Sequence, residues 1–199
     1  MAGSARRGPG APRNTVRIIA GEWRSRRLEF PARDTLRPTP DRVRETVFNW
    51  LAPYLPGARC LDLFAGSGAF GFEALSRGAA RVVLVEHDAA AAAALRANGA
   101  RLVAAGAEIV EADTLSYLAG AAEPFDIVFL DPPYASGLLA PCLARLAAGG
   151  WLGRGARVYI EARGGEMPPL PAGWQLVRSK TAGQVGYHLA RTRHDEELS

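Results

Sequence analysis

Four residues of this chain, Asp131-Pro132-Pro133-Tyr134, combine side chains and backbone groups able to hold a planar amine. They follow the apolar run Ile127-Val128-Phe129-Leu130, which reads as a fully buried parallel strand, so they sit at its carboxyl end. In open α/β sheets that edge is where ligands bind. The two prolines stiffen the backbone and remove two N–H donors, leaving carbonyls as acceptors. A carboxylate, a fixed carbonyl and an aromatic face within one turn suit the exocyclic amino group of a nucleobase. Such an amine is a poor nucleophile, because its lone pair is delocalised into the ring. Holding its two hydrogens with the Asp131 carboxylate and the Pro132 carbonyl favours a pyramidal nitrogen with an aimed lone pair. Most of the acceleration then comes from orientation and electrostatics, with no strong base required. Tyr134 is expected to stack on the base, which must be unstacked or flipped to arrive. Asp131, Pro132, Pro133 and Tyr134 are thus the candidate catalytic residues, the bland alternative being an ordinary strand-ending turn.

A second constellation lies upstream. Leu61-Asp62-Leu63-Phe64-Ala65-Gly66-Ser67-Gly68-Ala69-Phe70-Gly71 reads as a strand entering a glycine-rich turn and then a helix. Gly66, Gly68 and Gly71 satisfy the dinucleotide fingerprint, and Glu86 ends the next strand, where an acid can accept both ribose hydroxyls. The motif alone does not separate NAD from another adenosine ligand. Asp62 favours S-adenosylmethionine (AdoMet), because a carboxylate there repels a pyrophosphate but can hold an ammonium. Asp113 ends the third strand, where it can accept from an adenine amine or cap the helix that starts at Thr114. The candidate cofactor residues are Asp62, Phe64, Ala65, Gly66, Gly68, Glu86 and Asp113.

These groups need a sheet to position them. From residue 59 onward, β-rich runs at 60–64, 81–86, 108–111, 126–130 and 157–161 alternate with helical stretches near 70–76, 89–102, 114–118 and 138–147. That alternation predicts a doubly wound parallel α/β sheet. Residues 174–180 and 184–192 break the rhythm and predict a terminal hairpin. Ahead of the sheet, 16–19 and 27–30 read as a small β-hairpin, followed by a helix with Asp41 as its N-cap that ends before Pro53. The expected organisation is a disordered basic tail at 1–14, a hairpin and helix at 15–52, the catalytic domain at 53–193 and a short tail at 194–199.

Composition narrows the class. The 199 residues are 48% hydrophobic and 22% charged, as in ordinary globular proteins, and no apolar stretch approaches a membrane span. Cys60 and Cys142 are read as core fillers, and His87, His188 and His194 have no metal-ligand spacing, so neither a disulfide nor a metal site is expected. A cytoplasmic monomer is the simplest expectation. The charge is uneven. Eleven arginines stand against four acids in the first 44 residues, a surplus of seven, so the rest of an overall +4 chain carries −3. GC-rich coding explains arginine over lysine but not this clustering, which suits a nucleic-acid-facing N-terminus.

The likeness to one family extends beyond the pocket. Residues 16–24 (VRIIAGEWR), 36–45 (LRPTPDRVRE), 48–51 (FNWL), 63–69 (LFAGSGA), 73–79 (EALSRGA), 149–152 (GGWL) and 182–185 (AGQV) resemble blocks of the RsmD-type 16S rRNA guanine-N2 methyltransferases. The resemblance covers roughly residues 16–192, and its arginine-rich N-terminal block is its most specific part. It implies a class I AdoMet-dependent methyltransferase fold, a Rossmann-like, seven-stranded, mostly parallel sheet of order 3-2-1-4-5-7-6 with a small N-terminal hairpin extension. It also implies AdoMet as donor and a guanine of 16S rRNA as acceptor, presented within the 30S subunit or an assembling particle. By position, Thr39, Asp41 and Arg42 would help close the cofactor and base pocket, while Arg24, Arg26 and Arg37 would meet phosphates, with Arg42 counted among the RNA contacts. Pro40 departs from the family pattern, where a second threonine is expected. The competing functions are adenine-N6 or cytosine-N4 methylation, a non-catalytic RNA-binding assembly factor, and an NAD-dependent oxidoreductase.

Overall fold

The apolar runs of the sequence become the interior strands of one sheet in the computed structural model, which describes residues 13–32 and 39–192. In chain order the elements are β1 (Arg13–Arg17), β2 (Arg27–Pro31), α1 (Asp41–Leu51), β3 (Arg59–Asp62), α2 (Ala69–Ser76), β4 (Arg81–Glu86) and α3 (Ala89–Leu102). There follow β5 (Ala107–Glu111), α4 (Thr114–Tyr117), β6 (Phe125–Leu130), α5 (Leu139–Ala148), β7 (Leu152–Arg163), β8 (Gln175–Ala182) and β9 (Val185–Arg191). The main sheet has seven strands in the order β5-β4-β3-β6-β7-β9-β8, and β1 pairs with β2 in a separate antiparallel ribbon. Renumbered from β3, that order is 3-2-1-4-5-7-6, as the resemblance implies. β5, β4, β3, β6 and β7 run parallel, and β9 runs antiparallel to both β7 and β8.

Alternate residues of each central strand face opposite layers, so a continuous apolar run serves two cores at once. Cys60, Val82, Leu84, Ile127 and Phe129 pack with α1, α2 and α3 through Val47, Phe48, Phe72 and Leu95. Leu61, Val83, Val128 and Val158 pack on the other side with α5 through Cys142, Leu143 and Leu146. Both cysteines are buried free thiols. Phe70 stacks on Phe129 and lies 4.8 Å from the Tyr159 ring, centroid to centroid, giving the edge above β6 and β7 a rigid aromatic floor.

The N-terminal segment is fixed to the sheet layer through α3, where the Asn98 side chain bonds both the N–H and the C=O of Glu29, and through α2. The buried Glu73 carboxylate accepts the Ile19 N–H at 2.7 Å and the Ala20 N–H at 3.0 Å. It also pairs with Arg77 at 2.7 Å and faces the fully buried Arg44 at 3.7 Å. Ser76 extends the seam, accepting from the Trp23 N–H and donating to the Ala20 carbonyl. The approach is so close that a Cβ on Gly21 would lie 1.8 Å from the Ser76 carbonyl oxygen, and Gly21 has φ +85°. Glycine alone satisfies both conditions.

Several boundaries differ from expectation. Arg13 and Asn14 belong to β1, paired with Pro31 and Phe30, so the tail predicted at 1–14 is too long; residues 1–12 and 194–199 lie outside the described residues. Asp41 is not the N-cap of α1. That place falls to Pro40, whose carbonyl accepts from Val43 and Arg44, while two guanidiniums, Arg17 and Arg44, draw the Asp41 carboxylate away at 2.6 Å each. β3 ends at Asp62 rather than residue 64, because the chain turns toward the glycine loop. β7 begins five residues before the expected start, since Gly153 and Gly155 mask its first half; Gly153 is in a close approach to the Phe125 carbonyl.

Candidate active site

Parallel strands deliver their carboxyl ends to one edge, and in this protein every one of them brings an acid there. In spatial order these are Asp113 two residues beyond β5, Glu86 ending β4, Asp62 ending β3, Asp131 following β6, and Glu161 near the end of β7. The sheet register sets Leu130 opposite Ile160, which makes Asp131 and Glu161 neighbours across adjacent strands.

Glu161 is the hub of the right-hand half. Its Oε1 accepts from the Tyr159 hydroxyl at 2.6 Å and from the Thr39 hydroxyl at 2.8 Å. Its Oε2 faces the Tyr134 hydroxyl at 3.4 Å, longer than a good O–H···O bond. Burial pushes the Glu161 carboxyl upward, and the three hydroxyls pull it back toward the charged form. The Asp131 carboxyl is held well above the usual carboxylate range, first by burial, then by the charges of Glu161 and Asp62, with Thr39 the one group opposing this by hydrogen bonding. Both carboxyls are thus pushed toward the neutral form, Asp131 by burial and its acidic neighbours, and Glu161 by burial against its three hydroxyl donors. Pro132 is buried and Pro133 exposed, while Tyr134 opens a short 3-10 turn (Tyr134–Ser136) and is 49% exposed, an aromatic face open to a planar partner.

In the left-hand half, Asp62 is 3% exposed, accepts the Gly71 N–H at 3.2 Å, and is pushed up to about 7, chiefly by burial. Glu86 accepts the Gly66 N–H through Oε2 and the Asp88 N–H through Oε1, both at 2.8 Å, bracing the glycine loop against β4. Its two oxygens retain further lone pairs for a donor. Ala65 donates to the Val85 carbonyl at 3.0 Å, and Phe64 is half-buried beside it. Asp113 is exposed and caps α4 through the Ser116 N–H at 2.9 Å, which holds its carboxyl below the usual range. Gly68 takes φ +78°, and a Cβ there would lie 2.6 Å from Phe72 and 2.7 Å from Leu95. Its smallness thus serves helix packing inside the protein, not only the approach of a ligand.

The sequence-predicted residues divide accordingly. Asp62, Phe64, Ala65, Gly66, Gly68, Glu86 and Asp113 gather on β3, β4, β5 and the loops that follow them. Thr39, expected to help close the cofactor and base pocket, bonds Glu161 beside Asp131. Asp41 sits in the Arg17–Arg44 ion network rather than at the sheet edge. Arg24, Arg26 and Arg42 are exposed, with Arg26 donating to the Arg101 carbonyl at 3.1 Å; Arg37 lies outside the described residues. Reading by sequence missed Glu161, Tyr159 and Thr114, whose hydroxyl donates to the Leu63 carbonyl at 2.9 Å. A strand-ending acid at Glu161, parallel to Glu86, was the available signal. Clefts of about 400 Å³ near Val103 and 330 Å³ near Tyr54 touch none of the five acids. Among the described residues no cluster of three His, Cys, Asp or Glu side chains is placed to hold a metal ion, and no helix is long and apolar enough to cross a membrane.

Comparison with known proteins identifies the family. The family model described as Conserved hypothetical protein 95 matches residues 16–191. The Ribosomal RNA small subunit methyltransferase D of Escherichia coli K12 is 50% identical over 175 residues, covering 87% of this chain and 88% of that one. Its namesake in Haemophilus influenzae is 43% identical over 178 residues, covering 87% and 92%. The solved structure of the yhhF protein from Escherichia coli superposes with a TM-score of 0.85 at 47% identity, covering 90% of this chain and 98% of that one. With a family model spanning the sheet and its N-terminal ribbon, and relatives this similar over nearly their whole length, the chain belongs to the RsmD family of methyltransferases.

Proposed function

We propose that the protein transfers a methyl group from AdoMet to the exocyclic N2 of a guanine in 16S rRNA, within the 30S subunit or an assembly intermediate. The observation that carries this reading is the placement of Asp131-Pro132-Pro133-Tyr134 at the carboxyl end of β6, between acids that end β3 and β7. The names of the curated relatives supply the substrate class.

The acidic edge fits a ligand that carries two positive charges and several donors. Asp62 would hold the ammonium, Glu86 the ribose hydroxyls and Asp113 the adenine amine, with Phe64, Ala65, Gly66 and Gly68 forming the wall beside them. When bound, AdoMet supplies an electrophilic methyl group on a sulfonium that departs as a neutral thioether. The chain's own residues do the rest. Asp131 and the Pro132 carbonyl take the two amine hydrogens and aim the nitrogen lone pair, Pro133 stiffens the turn, and Tyr134 stacks on the base. As the amine gains its methyl it becomes acidic, and Asp131 is the acceptor for the proton it loses. Residues 15–52 are the RNA-facing part, with Arg24, Arg26, Arg37 and Arg42 as phosphate contacts, acting in a cytoplasmic monomer that needs no metal.

Incubation of the protein and labelled AdoMet with undermethylated 30S subunits, followed by nucleoside mapping, tests the assignment. N2-methylguanosine in 16S rRNA is expected; label on adenine N6 or cytosine N4, or no label, would refute it. Asp131→Ala is expected to lower kcat on the order of 100-fold or more. Full transfer by that variant would remove Asp131 from the mechanism.

A further inference from the structure

We propose that Glu161 selects guanine over the other amino-bearing bases, by accepting the proton on the ring nitrogen beside the methylated amine. Glu161 takes this role only if guanine N2 is the acceptor, as proposed above. The amine grip by itself does not read the base, because adenine, cytosine and guanine all present two amine hydrogens. What differs is the adjoining ring nitrogen. In guanine N1 carries a hydrogen, whereas adenine N1 and cytosine N3 present a lone pair at the corresponding place. An acceptor fixed next to the grip pairs with guanine and meets the lone pair of the other two.

Glu161 is built as that acceptor. The strand register makes it the immediate neighbour of Asp131, and it is 6% exposed. Two hydroxyls, from Tyr159 at 2.6 Å and Thr39 at 2.8 Å, occupy Oε1 and lock the carboxylate plane. Among the described residues Oε2 meets the Tyr134 hydroxyl, the residue proposed to stack on the base, at a long 3.4 Å. The better-placed oxygen is thus saturated and the other is turned toward the base platform. An acceptor at a buried position makes the paired case stronger and the mismatched case costlier than either would be in water.

The test uses small-subunit particles assembled on rRNA carrying either guanine or 2-aminopurine at the mapped position. 2-Aminopurine keeps the amine on the same carbon but leaves N1 unprotonated. Wild-type protein is expected to show kcat/KM roughly 100-fold or more lower for 2-aminopurine. In Glu161→Gln, the Thr39 and Tyr159 hydroxyls keep the amide oxygen at the Oε1 place, so the NH₂ replaces Oε2 and an acceptor becomes a donor. That variant is expected to narrow the guanine preference at least roughly tenfold, by losing on guanine and gaining on 2-aminopurine. A merely structural Glu161 would lower both substrates alike, and that result would overturn the assignment. So would equal use of the two bases by the wild type, an arm that needs no variant to fold. If wild type forms N2-methylguanosine but the ratio does not move, Glu161 alone loses its role. If it forms none, the underlying function falls and this inference with it.

Discussion

Asp62 and Asp131 occupy adjacent strand ends, and burial raises both carboxyls, so proton binding is linked to what the site holds. In the fold the Asp62 carboxyl, pushed up to about 7, lies above the ordinary aspartate value of 3.8. Its burial is therefore cost-free below about pH 4 and increasingly unfavourable as pH rises to 7, on the order of 4 kcal/mol in full. A cation at Asp62 reverses that balance. AdoMet affinity is expected to increase from pH 5 to 7, and binding at pH 6 to release a proton, measurable by calorimetry in buffers of different ionisation enthalpy. Asp62→Asn should abolish the release, weaken binding roughly 10- to 100-fold, and flatten the fall in ligand-free stability over that range. At Asp131 the sign is similar. Its charged form grips the amine best, so the single-turnover rate should rise with pH, and Glu161→Gln, by removing a neighbouring negative charge, should move that limb to lower pH. At this scale the sequence was informative wherever a residue sits inside a local pattern, as Asp62 and Asp131 do. Glu161 escaped because its meaning comes from Thr39, 122 residues away.

The secondary-structure elements were legible where one force dominates. β4 and α3 fall at their expected bounds, the first a valine-rich apolar run, the second an alanine-rich stretch capped by Asp88 through the Ala91 N–H. Where tertiary contacts overrule local signals the reading slipped: Asp41 looks like a cap but answers to Arg17 and Arg44, and the glycines ahead of Ala156 hide half of β7. α2 shows how much one element can carry. It begins at the glycine loop and holds the N-terminal segment through Glu73 and Ser76. Glu73→Ala would leave Arg44 buried beside an emptied partner, with an expected loss of roughly 3–5 kcal/mol in chemical denaturation. Gly21→Ala should act more locally. Amides of residues 18–26 are expected to exchange faster, while those of β4 and β6 keep their protection and AdoMet still binds. Faster exchange throughout the sheet would mean instead that the ribbon is needed for the fold itself.

Across the whole molecule, charge divides along the chain, with the surplus of seven in the first 44 residues and the deficit of three in the remainder. Parallel topology gathers part of that deficit on one edge, where a ligand bearing an ammonium and a sulfonium suits it. RNA affinity is expected to fall as salt rises, and deletion of residues 1–12, which removes Arg6 and Arg7, to lessen the log–log slope by up to about 1.5. An unchanged slope would take the tail out of the interface. Fold class and strand order could be read from alternation and family likeness together, whereas the docking of the N-terminal ribbon could not, since no local periodicity records it. That docking has a consequence for how such a protein can diversify. Glu73 and Ser76 hold the loop between β1 and β2 by its main-chain N–H and C=O groups, while Ile18 and Trp23 pack on the core and Arg26 reaches the Arg101 carbonyl. The side chains of residues 22, 24 and 27 lie outside those anchors, so substitutions there are expected to alter the outer surface of the ribbon without disturbing the catalytic edge.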